Sequence, residues 1–201
     1  MVRQDTVFLK GEGNEWHRRN LDKAREPLVL QACLDSKISP TRALEFGCGA
    51  GFNIGAVCGH YQCAGHGIDP SMIALHAARQ KYPDIKFSPA TTLYKFLARE
   101  YDLIIYGFCL YVCDPGTLSQ VAATGDNALM DGGYLVIQDF DPEYPHKVPY
   151  HHVDGLFSYK MDYSKLWLAN PAYSLVQKRV YAEGEAVWVL KKNIAAGWPT
   201  L

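Results

Sequence analysis

Residues 43–51 read Ala-Leu-Glu-Phe-Gly-Cys-Gly-Ala-Gly, an apolar run that contains one acid and ends in three glycines at alternate positions. Further along the chain, residues 67–71 read Gly-Ile-Asp-Pro-Ser. Together the two stretches predict a strand, a glycine-rich turn, a helix and a second strand with Asp69 at its tip. This arrangement is typical of proteins that hold a nucleoside-bearing cofactor at the carboxyl edge of a parallel sheet.

The rest of the chain alternates between short apolar runs and segments with a helical pattern. Two uncharged runs, 103–106 and 134–137, suit strands of a parallel sheet that is buried on both faces. The predicted strands are 42–46, 64–69, 85–88, 102–107 and 133–139, and the predicted helices are 21–35, 52–59, 71–81, 91–99 and 116–129. Two late runs, 174–181 and 186–191, predict an antiparallel hairpin with Gly184 in its turn. The predicted fold class is therefore α/β, with a doubly wound sheet.

Length, charge and cysteine content narrow the class of protein. A chain of 201 residues suits one domain with a sizeable core. The net charge of −1 comes without a basic block, so we expect neither a nucleic-acid nor a membrane partner. No apolar run approaches the roughly 20 residues of a spanning helix, and the polar start lacks the core of a signal peptide. The six cysteines form no CxxC pair, which favours free thiols in a reducing cytoplasm over a zinc site.

The glycine spacing separates two kinds of cofactor. A dinucleotide-binding turn needs a third small residue three positions after the second glycine, because the helix must approach the strand there. Phe52 or Ile54 occupies that position, depending on which glycine begins the count. Both side chains are too large for such close packing, so the pattern disfavours NAD and favours a cofactor without a pyrophosphate.

Four ordered motifs resemble those of class I S-adenosylmethionine-dependent methyltransferases. They are the glycine motif 44–51, the acidic motif 67–71, the fourth-strand motif 101–111 and the segment 129–137 that enters the fifth strand. The late hairpin is similar to the last two strands of that family. The resemblance implies a mostly parallel, seven-stranded Rossmann-like sheet with an antiparallel last strand, and it implies S-adenosylmethionine as the cofactor.

The resemblance also implies which residues contact the cofactor. The glycine turn would line the methionine part, Asp69 would hold the ribose, and Ser71 or Met72 would lie near the adenine. Gly107 and Phe108 would flank the reacting methyl group. The cofactor-binding residues expected on this basis are Glu45, Gly47, Cys48, Gly49, Gly51, Asp69, Pro70, Ser71, Met72, Ala90, Thr91, Gly107 and Phe108.

One segment departs from the family pattern. Many members have an acid after the third strand that meets the adenine amine, whereas residues 88–92 read Ser-Pro-Ala-Thr-Thr. A backbone carbonyl near Ala90 or the hydroxyl of Thr91 would have to make that contact.

The segment 141–173 follows the fifth predicted strand and leaves the sheet at its carboxyl edge, where a methyl acceptor would bind. An oxygen nucleophile benefits from a general base, and His151 and His152 are the candidate catalytic residues. Surface histidines in a loop fit the same pattern. We predict no metal site, because His146 and Asp141 add no compact ligand spacing to these two histidines.

Aromatic residues in two parts of the chain are candidates for binding the acceptor. Tyr111, Tyr150 and Tyr159 suit a pocket wall, because a tyrosine combines an apolar face with a hydroxyl group, although core packing explains them equally. Trp16 and Arg19 suit a lid in which Arg19 meets the methionine carboxylate of the cofactor or an acidic substrate. A solvated basic helix face is the alternative for Arg19.

The domain prediction is a single methyltransferase domain, 1–201. Within it we expect an N-terminal lid segment, a cofactor-binding core, a substrate-side insertion and a terminal hairpin, at 1–35, 40–140, 141–173 and 174–191. The exposed aromatics of the insertion equally suit a dimer interface, so a homodimer stays open.

The leading functional hypothesis is a cytoplasmic enzyme that transfers a methyl group from S-adenosylmethionine to a small molecule, such as a sugar or another hydroxylated metabolite. The alternatives are a non-catalytic partner subunit that keeps the cofactor pocket and, less well supported, an NAD-dependent oxidoreductase. The first alternative predicts cofactor binding without turnover. The second predicts tight nicotinamide binding that depends on Asp69.

Overall fold

The computed structural model describes residues 4–21, 23, 26–94, 96, 98–181 and 184–198. Seven strands form one sheet: β1 Arg42–Phe46, β2 Ala64–Asp69, β3 Lys86–Pro89, β4 Tyr101–Gly107, β5 Leu129–Phe140, β8 Tyr173–Tyr181 and β9 Glu185–Lys192. Their order is β3-β2-β1-β4-β5-β9-β8. The first five are parallel, and β9 pairs antiparallel with both β5 and β8. The predicted Rossmann-like sheet with an antiparallel last strand is confirmed.

The strands β4 and β5 explain the apolar runs that predicted them. Along β4, Leu103 and Ile105 pack into one buried cluster, whereas Ile104 and Tyr106 pack into a second cluster on the opposite face. Because successive side chains of a strand point to opposite faces, both faces of the sheet are covered. The aromatic ring of Phe46 stacks on that of Tyr106 within the second cluster, at a centroid distance of 4.7 Å.

Helices cover both faces of the sheet. Their bounds are α1 Gln4–Val7, α2 Gly13–Arg19, α3 Leu28–Asp35, α4 Phe52–Tyr61, α5 Met72–Lys81, α6 Leu118–Ala128, α7 Lys165–Leu168 and α8 Ile194–Gly197. A π-helical turn, Phe8–Glu12, joins α1 to α2, and short 3-10 turns form at Leu110–Val112 and Pro115–Thr117. None of the described helices is long and apolar enough to cross a membrane.

Two helix predictions are corrected. Within the predicted helix 21–35, the described helix begins at Leu28, because Pro27 disfavours helical geometry in the residue before it and takes a non-helical conformation itself. Residues 22, 24 and 25 of that prediction lie outside the described residues. The described part of 91–99 contains turns instead of a helix. There the Thr91 hydroxyl accepts a hydrogen bond from the Leu93 amide, and Phe96 packs edge-on against Phe46. Local side-chain bonding and burial of one aromatic ring therefore outweigh helical propensity.

The segment 141–173 contains structure that its sequence did not reveal. A small second sheet forms from β6, His146–Pro149, and β7, Phe157–Lys160, which pair antiparallel. The short helix α7 follows and places Trp167 in the core against β4. The centroids of the Trp167 and Tyr106 rings lie 5.3 Å apart. The segment therefore packs onto the sheet and extends its carboxyl edge.

Candidate cofactor and acceptor site

A cavity of about 730 Å³ opens at the carboxyl ends of the parallel strands. Residues that follow β1, β2 and β4, such as Gly49, Pro70 and Phe108, line it together with Gln138 of β5. The N-terminal segment contributes Phe8, and the turn after β6 contributes Tyr150 and His152 at the opposite rim. Open α/β sheets bind their ligands at this edge.

The glycine turn between β1 and α4 needs its glycines for two different reasons. Gly47, Gly49 and Gly51 all have positive φ angles, of 66°, 53° and 79°. A side chain on Gly47 would overlap the Cβ atom of Cys109, whereas one on Gly49 would meet no atom within 4 Å. Gly49 thus leaves its backbone bare toward the cavity. Gly51 lies behind the turn against Phe87 and does not line the cavity.

Asp69 at the tip of β2 connects the two motifs that decided the fold. Its carboxylate accepts hydrogen bonds from the Gly49 amide at 2.8 Å and from the Ser71 amide at 2.7 Å. Burial raises the pKa of Asp69 to about 6, although both hydrogen bonds favour the charged form. The carboxylate lines the cavity and can accept further hydrogen bonds from a vicinal diol such as a ribose.

Glu45 in β1 fixes the start of α4 beneath the cavity. One carboxylate oxygen accepts a hydrogen bond from the Asn53 amide group at 2.9 Å, and the other accepts one from the Ile54 backbone at 3.0 Å. The negative charge therefore satisfies amides in the first turn of the helix. Gly107 lies beside this pair, and any side chain there would overlap Asn53.

The turn after β4 holds Phe108 in an unusual conformation. Phe108 has a φ angle of 51°, which costs a non-glycine residue on the order of 1 kcal/mol. Its amide donates to the Gln138 carbonyl at 2.7 Å. The buried carboxylate of Asp139 supports the same turn by accepting from the Leu110 and Tyr111 amides, and burial raises the pKa of Asp139 to about 7. Phe108 is thereby fixed at the cavity wall.

The N-terminal segment, Gln4–Arg19, lies across the cavity and is tied to its far side. Glu12 pairs with Arg19 and accepts a hydrogen bond from the Tyr150 hydroxyl at 2.6 Å. The Trp16 ring nitrogen donates to the Tyr111 hydroxyl at 3.1 Å. Arg19 and Tyr150 both line the cavity, but the charge of Arg19 is already paired with Glu12.

The remaining predicted residues divide between the cavity and its surroundings. Cys48, Pro70, Ala90, Thr91 and His152 line the cavity. Ser71 is buried behind it as the N-cap of α5, where its hydroxyl accepts from the Ala74 amide at 3.1 Å. Besides Gly51 and Ser71, three further predicted residues lie outside the cavity lining, namely Met72, His151 and Tyr159. Met72 and His151 are exposed, and Tyr159 borders a shallow depression that β6 and β7 line together with Pro115 and Leu118.

Several lining residues were not predicted. They include Asn53, Thr92, Gln138, Phe140, Tyr181 and Glu185. Only Gln138 carried a readable signal, because it is a polar residue that directly follows the apolar run 134–137. The others depend on how distant strands meet. Within the described residues, no group of three histidine, cysteine or acidic side chains is arranged to hold a metal ion.

The methyltransferase-domain family matches residues 16–178 of the chain. Among solved structures, the chain is similar to 1,6-didemethyltoxoflavin-N1-methyltransferase of Burkholderia thailandensis, solved with 1,6-didemethyltoxoflavin and S-adenosylhomocysteine. The TM-score is 0.70 at 14% identity, covering 94% of this chain and 85% of that chain. An S-adenosylmethionine-dependent methyltransferase of Mesorhizobium loti gives a TM-score of 0.64 at 18% identity, covering 86% and 100%. Among curated proteins, none matches the sequence.

The family match extends beyond the cofactor core into the substrate-side segment and most of β8. The structural likenesses, both below 20% identity, agree with it at the level of the fold. The chain therefore belongs to the methyltransferase-domain family and has the Rossmann-like fold of class I S-adenosylmethionine-dependent methyltransferases, as its motifs predicted.

Proposed function

We propose that the protein transfers the methyl group of S-adenosylmethionine to a small, hydroxyl-bearing molecule in the cavity described above. One observation carries the proposal. The cavity of about 730 Å³ extends without interruption from Asp69 and Gly49 to the aromatic rim at Tyr150 and His152. This volume lies in the range of sites that enclose a drug-sized ligand, and it leaves room beside the cofactor for a small acceptor.

The residues of the glycine and acidic motifs suit the cofactor. The Asp69 carboxylate would hold the ribose hydroxyls, and the turn with Gly47 and the bare backbone of Gly49 would hold the methionine part. Glu45 supports that end of the site by fixing α4. Pro70, Ala90 and Thr91 would hold the adenine, and the Thr91 hydroxyl or a backbone carbonyl would replace the acid of other members. Gly51 and Ser71 support the site from behind.

S-adenosylmethionine supplies an electrophilic methyl group when it is bound. The chain's own residues then align the acceptor and exclude water. Gly107 and Phe108 would form the wall beside the transferred group, and Trp16, Tyr111 and Tyr150 would close the cavity over the acceptor. His152 at the rim takes the proton of an acceptor hydroxyl. Arg19 positions Tyr150 through Glu12, and it is not assigned to an acidic substrate.

A cytoplasmic location is part of the proposal. The six cysteines of the chain are free thiols, and thiols are most easily kept reduced in the cytoplasm. The net charge of −1 favours a small molecule over nucleic acid as the acceptor.

Calorimetric titration with S-adenosylhomocysteine tests the cofactor assignment. The wild-type protein is expected to bind, and Asp69→Ala is expected to weaken binding by at least about tenfold, because the ribose loses its hydrogen-bond acceptor. Asp84→Ala is the matched control, because Asp84 is exposed and does not line the cavity. Binding of NADH instead of S-adenosylhomocysteine would contradict the proposal.

A screen for methyl transfer separates the enzyme from a non-catalytic partner subunit. The screen offers phenols, nucleotide sugars and amines with radiolabelled S-adenosylmethionine. Turnover that His152→Ala reduces while cofactor affinity is kept supports the proposed base. Cofactor binding without turnover of any acceptor favours the partner subunit.

A further inference from the structure

Gln138 is a polar residue in a place where the fold favours apolar ones. It follows Val136 and Ile137, which are fully buried in β5, and it is itself only 8% exposed. Its backbone carbonyl accepts a hydrogen bond from the Phe108 amide. Its side-chain amide has no hydrogen-bond partner among the residues that the structure describes. The amide is not among the buried polar atoms that lack a partner, so it is accessible from the cavity and can bond to a molecule that enters it.

Gln138 has polar side chains close to one flank, because Asn53 and Glu45 fill the space over Gly107. In the sheet it lies between Gly107 of β4 and Val187 of β9. Gly107 has no side chain and Val187 has no polar group, so neither can satisfy the amide. Phe140 lies two residues further along β5, and therefore on the same face as Gln138.

Three aromatic rings form part of the cavity wall to which Gln138 also belongs. The rings of Phe108, Tyr111 and Phe140 contact one another nearly at right angles, at centroid distances of 5.2–6.5 Å. All three line the cavity. The Lys160 ammonium lies over the Phe140 ring at 3.8 Å from its centroid. The ring surfaces that remain exposed to the cavity are flat and apolar, and they suit a planar ligand better than a ring covered with hydroxyl groups.

We propose that Gln138 selects the acceptor by hydrogen bonding to the edge of a flat heteroaromatic ring. This role rests on the proposed function above. A glutamine side chain offers one donor and one acceptor side by side, and it pairs with two adjacent ring atoms of the opposite kind. A cyclic amide presents that pair. Its other tautomer is a hydroxylated heteroaromatic ring, so this class falls within the hydroxyl-bearing acceptors proposed above.

Binding of two matched bicyclic probes tests this specificity. Isoquinolone carries the adjacent N–H and C=O of a cyclic amide, whereas naphthol has the same size and carries only a hydroxyl group. In the presence of saturating S-adenosylhomocysteine, ligand-observed NMR is expected to show isoquinolone binding about tenfold or more tightly than naphthol. Gln138→Leu is expected to remove this preference, and Gln120→Leu, at an exposed position on α6, is expected to keep it.

A second variant controls for the case in which Gln138→Leu misfolds. Gln138→Glu keeps the shape of the side chain but loses its N–H donor, so it is expected to lose the preference as well. Equal affinity of the wild-type protein for the two probes would overturn the inference. A loss of S-adenosylhomocysteine affinity in Gln138→Glu would overturn it too, because the amide would then serve the cofactor.

The same measurements separate this inference from the proposed function. If the wild-type protein does not bind S-adenosylhomocysteine, the proposed function fails and the inference fails with it. If it binds S-adenosylhomocysteine but does not distinguish the probes, the inference alone fails.

Discussion

Asp69 shows how one side chain can serve both the fold and the ligand. Its two carboxylate oxygens each accept one backbone hydrogen bond, from the turn after β1 and from the start of α5. A carboxylate has about four acceptor positions, so capacity remains for a ligand. The cost of this double use is burial, which raises the pKa of Asp69 to about 6.

Cofactor affinity should depend on pH because of this shifted pKa. Only ionised Asp69 accepts hydrogen bonds at both oxygens, so protonation below pH 6 removes acceptors from the ribose. Lowering the pH from about 7.5 to 5 is expected to weaken S-adenosylhomocysteine binding by about tenfold, as measured by calorimetry at each pH.

The Asp69→Asn variant isolates this effect from other groups that titrate in the same range. Asp139 is one of them, because burial raises its pKa to about 7. The variant is expected to bind weakly with little dependence on pH. An equally steep dependence in Asp69→Asn would assign the proton to another residue.

At the scale of elements, the glycine turn separates a packing requirement from a binding requirement. Gly49 and Gly132 both have positive φ angles and open space where a Cβ atom would lie, but only Gly49 lines the cavity. Alanine at either position should therefore lower the free energy of unfolding by a similar amount, about 1–2 kcal/mol. Urea denaturation measures this loss.

Ligand binding should distinguish the same two variants. Gly49→Ala is expected to lose S-adenosylhomocysteine binding, because its new methyl group occupies the cavity, whereas Gly132→Ala is expected to keep it. Gly47→Ala should be more destabilising than either, because its side chain would overlap Cys109. Normal cofactor affinity in Gly49→Ala would show that the cofactor does not approach this part of the turn.

The elements that the sequence predicted well are those with strong local signals. The strands β1, β2 and β4 and the helices α4 and α5 follow apolar runs and clear turn residues, and all lie within a few residues of their predicted bounds. The predicted helix 91–99 was wrong, because the burial of Phe96 against Phe46 depends on a contact 50 residues away along the chain. The β6–β7 pair was missed because its pairing also depends on the surrounding fold.

The residues of the candidate site also divide into those with a local sequence signal and those without one. Gly47, Gly49 and Asp69 belong to contiguous motifs, so their place in the cavity could be predicted. Tyr181 and Glu185 enter it from the last two strands, and no local pattern connects them to the glycine turn. Tyr159 was proposed for its residue type alone, and the pairing of β7 with β6 places it elsewhere.

At the scale of the whole molecule, two distant parts of the chain close the cavity together. The N-terminal segment, Gln4–Arg19, reaches the turn after β6 through Glu12 and Tyr150, which are 138 residues apart in sequence. Gln4 adds a second tie by donating to the Val112 carbonyl at 2.7 Å and accepting from the Phe157 amide at 2.8 Å. The N-terminal segment thus covers the cavity, and the stability of this cover depends on a few polar contacts.

Removing one hydroxyl group should loosen the cover without disturbing the core. Tyr150→Phe keeps the aromatic ring but loses the hydrogen bonds with Glu12, at 2.6 Å, and with Arg19, at 3.1 Å. Because one such bond to a charged group contributes roughly 1.5 kcal/mol, amide hydrogen exchange across Gln4–Arg19 is expected to become about tenfold faster. Exchange in β4 and β5 should stay unchanged.

Tyr144→Phe is the matched control, because Tyr144 is 67% exposed and lies outside the cavity lining. Unchanged exchange across Gln4–Arg19 in Tyr150→Phe would mean that the ties through Gln4 and Trp16 hold the cover by themselves.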